Sequence, residues 1–273
     1  MMLNFKIYKN GQEIAFKKNA QFHDKNFQTL FIFHGLYGRG KNWQTFSKKL
    51  SKEENQIVVT VDLRNHGGND FEEDISYMLM MNDIVSLFNY LGVEKTNLLG
   101  HSMGGKLAMV IALLEPQYIN KVIIADISPV NYDNNENLII KSLLDMDLDL
   151  IKNRGEADYI LSKYIDQKFL RSFLLQNLEL VDGKYQWSVN LRAIKKSLND
   201  LRNFPVIKNI NKFDKEVLCV YGENSIYVKE EHFNIFKKFF SNIFFHEIKN
   251  ADHFLHIENP LEFYQTLNNF LNN

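Results

Sequence analysis

The chain has one cysteine, four prolines and two tryptophans in 273 residues, and it has neither a long apolar run nor a block of like charge. A lone cysteine excludes a disulfide within the chain. Cys219, inside the apolar run V-L-C-V-Y, reads as a buried structural thiol rather than a nucleophile. No stretch of 18 apolar residues is present, so no membrane-spanning helix is expected. The first residues, M-M-L-N-F-K-I-Y-K-N-G, lack the unbroken apolar core of a signal peptide. A formal net charge of -1, with no Lys/Arg block, removes the electrostatic footprint of a nucleic-acid binder or an anionic-membrane anchor. The expectation is a cytoplasmic protein with no nucleic-acid partner and no stable membrane anchor, working as a monomer or homodimer on a small molecule.

What is there describes an ordinary globular chain, 45% hydrophobic and 24% charged, long enough for one large domain or a core with an insertion. Residues 3–9 and 12–18 read as strands joined by Asn10-Gly11, a two-residue hairpin signal. Residues 29–34, 56–62, 96–99, 122–127, 217–221 and 243–248 are apolar runs suited to strands buried on both faces. Helical patterns fall between them, at Trp43/Phe46/Leu50, 77–91, 104–112, 230–240 and 261–271. Strands alternating with helices predict an α/β fold with a mostly parallel, eight-stranded sheet flanked by helices. The alternation lapses between 131 and 202. Helical patterns at 138–150 and 159–175, with no convincing buried strand, predict an all-helical cap over 131–202, inserted into a core of 1–130 and 203–273. The polar stretch 131–137 reads as a hinge loop.

The strongest chemical signal is G-H-S-M-G, residues 100–104, between the strand at 96–99 and the helix that follows. A serine at such a junction sits on a strained turn that lifts its hydroxyl clear of the sheet edge. Gly100 and Gly104 are required because a Cβ would strike the turn, and Gly105 lets the helix pack closely. The helix N-terminus beneath the serine favours the negative charge of an acyl-transfer transition state. Ser102 is therefore the candidate nucleophile.

A serine hydroxyl needs a base, usually a histidine oriented by a carboxylate. His253, in the loop N-A-D-H-F-L-H after the last strand, is preferred over His256, for which packing nearby or bonding to Glu258 is the alternative. His34 is assigned to turn geometry, and His23, His232 and His246 to structural roles. Two carboxylates compete as the acid. Glu223 lies in V-Y-G-E-N-S near the position usual for the acid, where Ser225 stands instead; Asp126 ends the strand A-D-I-S-P. A carboxylate in an apolar run is costly to bury unless paired, so Asp126 is favoured. The oxyanion hole needs two backbone N–H groups. Met103 follows the nucleophile, and Leu36 in the turn H-G-L-Y-G fits best as the second donor.

Together these residues resemble the α/β-hydrolase superfamily and, more narrowly, the YbfF-type esterases. The resemblance spans nearly the whole chain. It rests on H-G-L-Y-G (34–38), V-D-L-R-N-H-G (61–67), G-H-S-M-G-G-K (100–106), A-D-I-S-P-V (125–130), W-S-V-N-L (187–191), G-E-N-S-I-Y-V (222–228) and H-F-L-H-I-E-N-P (253–260). The resemblance implies that the aspartate of D-I-S-P-V is the acid. It also implies an esterase or thioesterase acting on acyl esters or acyl-CoA, beneath a small helical cap and without a cofactor. Two departures touch loops near the site: Gly68-Asn69 follow R-N-H-G where the family often has a serine, and Asp252 replaces the glycine usual before the histidine. The alternatives are C–C bond hydrolysis or acyl transfer on the same fold, and a non-catalytic ligand-binding relative.

Overall fold

Apolar runs with few breaks become the middle of a sheet, because only strands covered on both faces can bury every side chain. The computed structural model describes residues 1–16, 27–53, 56–132, 136–208 and 210–272. Its main sheet holds eight strands: β1 (Phe5–Lys9), β2 (Gln12–Ile14), β3 (Gln28–Phe33), β4 (Gln56–Val61), β5 (Thr96–His101), β6 (Ile119–Ala125), and the later β9 (Phe213–Gly222) and β10 (Phe240–Ile248). Their spatial order is β10-β9-β6-β5-β3-β4-β1-β2. Only β1 and β2 run antiparallel to their neighbours. The strand expected over 12–18 ends at Ile14, and residues 17 and 18 lie outside the described residues, as does His23.

Side chains alternate across these strands, and the helices cover what each face exposes. Leu30, Ile32, Val58 and Leu99 join Trp43 and Leu50 from α1 and its lead-in turn, and Phe263 and Leu267 from α10, on one face. Phe31, Val59, Leu98 and Ile124 join Ile84, Phe88, Leu107 and Ile111 on the other. Here α1 is Gln44–Glu53, α2 is Tyr77–Leu91, α3 is Met103–Leu114, and α10 is Pro260–Asn272. α2 is capped at one end by the Ser76 hydroxyl and stopped at the other by Gly92, whose φ of 73° fits a left-handed C-cap.

Between β6 and β9 the chain leaves the sheet. It forms α4 (Glu136–Leu144), α5 (Arg154–Leu161), α6 (Lys168–Leu175), a two-stranded antiparallel hairpin of β7 (Leu178–Val181) and β8 (Lys184–Trp187), and α7 (Leu191–Arg202). The hairpin corrects the all-helical reading of this segment. Its signal was present: Asp182 and Gly183, with φ of 49° and 77°, form the tight turn that Asp-Gly favours. The helix expected over 138–150 ends at Leu144, and a short 3-10 turn follows at Leu148–Leu150. The one expected over 159–175 is two helices, because the Arg171 guanidinium donates to the Ile165 and Asp166 carbonyls and holds the break between them. Of the polar hinge stretch, residues 133–135 lie outside the described residues. Ile140, Leu143, Leu161, Leu174, Ile194 and Leu198 from this segment belong to the same hydrophobic cluster as the buried residues of α2 and α3.

Candidate active site

Turns at the carboxyl ends of β5, β6 and β10 meet at Ser102, where open parallel sheets gather their ligands. β5 passes directly into α3, and Ser102 at the junction holds φ 53° and ψ -119°, a sparsely populated conformation that costs about 1–3 kcal/mol in a non-glycine residue. The two flanking glycines permit it. A Cβ on Gly100 would lie 2.1 Å from the Gly104 carbonyl oxygen, and one on Gly104 would lie 2.3 Å from that of Phe33. No side chain fits either contact.

The last strand, β10, ends at Ile248, and the turn beyond it carries His253. Its Nε2 lies 3.1 Å from Ser102 Oγ, and its Nδ1 lies 2.7 Å from Asp126 Oδ2. A carboxylate can only accept, so Nδ1 carries the ring proton and leaves Nε2 with the lone pair facing the serine hydroxyl. Asp126, just after β6, is itself at φ 54° and fully buried. Its carboxylate also accepts from the Gly222 N–H (3.1 Å) and the Ser225 hydroxyl (2.5 Å), so every oxygen of a buried anion is met. The structure therefore brings Ser102, His253 and Asp126 into one hydrogen-bonded chain. Glu223 stands apart. It is exposed and accepts from the Asn250 N–H (2.9 Å) and the Lys249 ammonium (3.3 Å), which hold its carboxyl below the usual carboxylate range.

Leu36 and Met103 border the space around Ser102. Met103 opens α3, and Leu36 lies in a turn closed by the Gly38 N–H on the Gly35 carbonyl (2.9 Å). Two buried histidines shape that turn. His34 donates from Nδ1 to the Gly35 carbonyl and accepts the Leu63 N–H; His66 accepts the Tyr37 N–H and donates to the Arg64 carbonyl. Burial lowers both pKa values, that of His66 to about 3, so both rings stay neutral. His101 donates from Nε2 to the His253 carbonyl (2.8 Å), and its burial among the other histidines keeps it far below the ordinary value. It therefore reaches the loop that carries His253. His256 stacks on Trp43, with ring centroids 4.2 Å apart.

Several supporting residues carried no assigned role in the sequence. Ser225 donates to Asp126 while accepting the Tyr227 N–H, so the serine at the usual acid position serves the aspartate that replaces it. The Tyr227 ring stacks on His253 at 4.0 Å between centroids. Asn177 donates to the Tyr37 carbonyl (2.7 Å), and Lys106 donates to the Val130 and Arg202 carbonyls; neither type signals such a role by pattern alone. Of the two departures, Asn69 ties the Asp62 and Leu63 carbonyls, and Asp252 is an exposed wall of the cleft. Cys219 is buried in β9, its thiol pushed well above the ordinary range. Among the described residues no group of His, Cys, Asp or Glu is arranged to hold a metal ion, and no helix is long and apolar enough to cross a membrane.

A family model for the alpha/beta hydrolase fold matches residues 28–260. The chain belongs to the α/β-hydrolase fold family. It is 31% identical over 257 residues to the sn-1-specific diacylglycerol lipase ABHD11 of Danio rerio, covering 92% of this chain and 80% of that protein. It is 27% identical over 248 residues to esterase YbfF of Escherichia coli, covering 90% and 94%. Among solved structures, a marine microorganism esterase superposes with a TM-score of 0.88 at 32% identity, covering 98% of this chain and 99% of that one. The relatives support ester hydrolysis by this α/β hydrolase.

Proposed function

We propose that this chain is a serine hydrolase that cleaves carboxylic esters or thioesters through an acyl-enzyme on Ser102. The observation that carries the reading is the 3.1 Å and 2.7 Å relay from Ser102 through His253 to Asp126, starting from a serine held on a strained turn. In the first half-reaction His253 Nε2 takes the hydroxyl proton as Ser102 Oγ bonds to the acyl carbon. The carbonyl oxygen becomes an oxyanion, met by the N–H groups of Met103 and Leu36. Collapse breaks the bond to the leaving oxygen or sulfur, which takes the proton from His253. In the second half, water gives a proton to the same nitrogen as its oxygen bonds to the acyl carbon; collapse then breaks the bond to Ser102 Oγ, which takes that proton back from His253 as the acid leaves. Asp126 holds the ring in the needed tautomer and stabilises its cationic form.

The resemblance to enzymes named as a diacylglycerol lipase and as esterases favours an acyl ester as substrate. On this reading, residues 1–130 and 203–273 form the catalytic core, and 131–202 form a lid that sets acyl specificity. Turnover of a p-nitrophenyl ester, lost by several orders of magnitude in Ser102→Ala, is the test. Retention of most of the activity in that variant would contradict the reading.

A further inference from the structure

Ser102 stands between two spaces of very different size. One is a cleft of about 280 Å³, walled by His253, Phe254 and Asn224 from the core and by Ile139, Leu170 and Phe173 from α4 and α6. The other is a recess of about 30 Å³ on the side of Met103, walled by Ile127, Tyr77, Leu201 and Lys106. Leu36 and Tyr227 border both, but His253 borders only the large one.

That asymmetry assigns the substrate's two ends, given the hydrolase reading proposed above. The leaving oxygen or sulfur must receive its proton from His253, so it lies on the histidine's side. The carbonyl oxygen faces the Met103 and Leu36 N–H groups at the mouth of the recess, and the acyl chain, the remaining substituent on the reacting carbon, extends past them between Tyr77, Ile127 and Leu201. A buried water needs roughly 10–15 Å³, so the recess, at about 30 Å³, has room for two or three heavy atoms. Four of its walls are large side chains almost wholly buried: Tyr77, Met103, Ile127 and Leu201 are all at most 4% exposed. Its back is tied shut. Lys106, 1% exposed, donates to the carbonyls of Val130 and Arg202, one before α4 and one at the end of α7, and its ammonium sits 4.7 Å from the Tyr132 ring centroid. Widening the recess by parting these two stretches would strand a buried ammonium, at a cost a few apolar contacts do not offset.

We infer that this protein is selective for short acyl groups, of acetyl or propionyl size, carried on a bulky, largely apolar alcohol or thiol. The acyl recess sets the length limit, and Lys106 keeps it closed as a positioning residue. The test is kcat/KM for p-nitrophenyl acetate, butyrate and octanoate, repeated with the 2-naphthyl esters, so that acyl length varies with the leaving group held constant. The expected result is a fall of at least tenfold from acetate to octanoate in both series. In Leu201→Ala the ratio of butyrate to acetate should rise about tenfold. The wild-type series decides the matter even if the variant does not fold. Octanoate turned over as fast as acetate would overturn the recess assignment and leave the hydrolase reading standing. Failure to turn over any ester, together with failure to label with a fluorophosphonate, would overturn both.

Discussion

Every member of the hydrogen-bonded chain at Ser102 comes from a turn at the carboxyl end of a sheet strand, whereas residues 136–202 contribute walls and ties. Ser102 follows β5, Asp126 follows β6, Ser225 follows β9, and His253 follows β10. The intervening segment gives Ile139, Leu170 and Phe173 to the cleft and Asn177 to the Tyr37 carbonyl. The first group is held by backbone geometry that admits one arrangement, including positive φ at Ser102 and Asp126. The second is held by side-chain packing that can change residue by residue. Residues 136–202 supply part of the cleft wall but no member of the hydrogen-bonded chain, so that part of the wall can change without disturbing the chain.

That contrast can be broken at either end. The largest effect is expected at the nucleophile: Ser102→Ala should lower kcat by several orders of magnitude with KM little changed, as steady-state ester hydrolysis will show. Asp126→Asn should cost about four orders, the size seen where an asparagine selects the wrong histidine tautomer. Glu223→Gln should alter kcat less than threefold, since its carboxylate faces Lys249 and Asn250. If Glu223→Gln is the crippled variant and Asp126→Asn stays active, the proposed acid is wrong. Asn177→Ala, on the wall side, should lower kcat/KM by roughly tenfold by freeing the turn that carries Leu36, an effect set by misplacement rather than by lost chemistry.

The smallest effect concerns stability rather than rate. His66 is fully buried, and its pKa falls to about 3. Between pH 6.5 and 3 the unfolded chain binds a proton that the folded state refuses, so stability falls as pH falls through that window. The limiting slope is about 1.4 kcal/mol per pH unit for one group. Urea unfolding from pH 7 to pH 4 should show this loss, and His66→Gln should lessen its slope by one group's share, the buried His34, His101 and His256 keeping theirs.

The inner strands β3, β4, β5 and β6 were legible because burial leaves apolar runs, β1 and β2 because Asn10-Gly11 marks their hairpin, and Ser102 because its turn needs glycine on both sides. Asp126 was legible as an expensive carboxylate in an apolar strand. The two hairpins divide instructively. Asn10-Gly11 and Asp182-Gly183 adopt nearly the same pair of positive φ angles, yet only the first is read from sequence as a hairpin. The second lies among half-buried and exposed residues such as Leu180 and Lys184, off the main sheet, where no apolar run marks a strand. Ser225, Asn177 and Lys106 were out of reach for another reason. Their partners, Asp126, the Tyr37 carbonyl and the Val130 and Arg202 carbonyls, lie 24 to 140 positions away, and only the fold brings them together.

The central claim is that Ser102, among all the hydroxyls of the chain, is the group that attacks. Intact protein treated with a fluorophosphonate and analysed by peptide mass spectrometry tests it directly. The account predicts a single phosphonyl adduct on the peptide containing Ser102, abolished in Ser102→Ala and slowed by orders of magnitude in Asp126→Asn. An adduct on another serine, or none on folded wild-type protein, would contradict it.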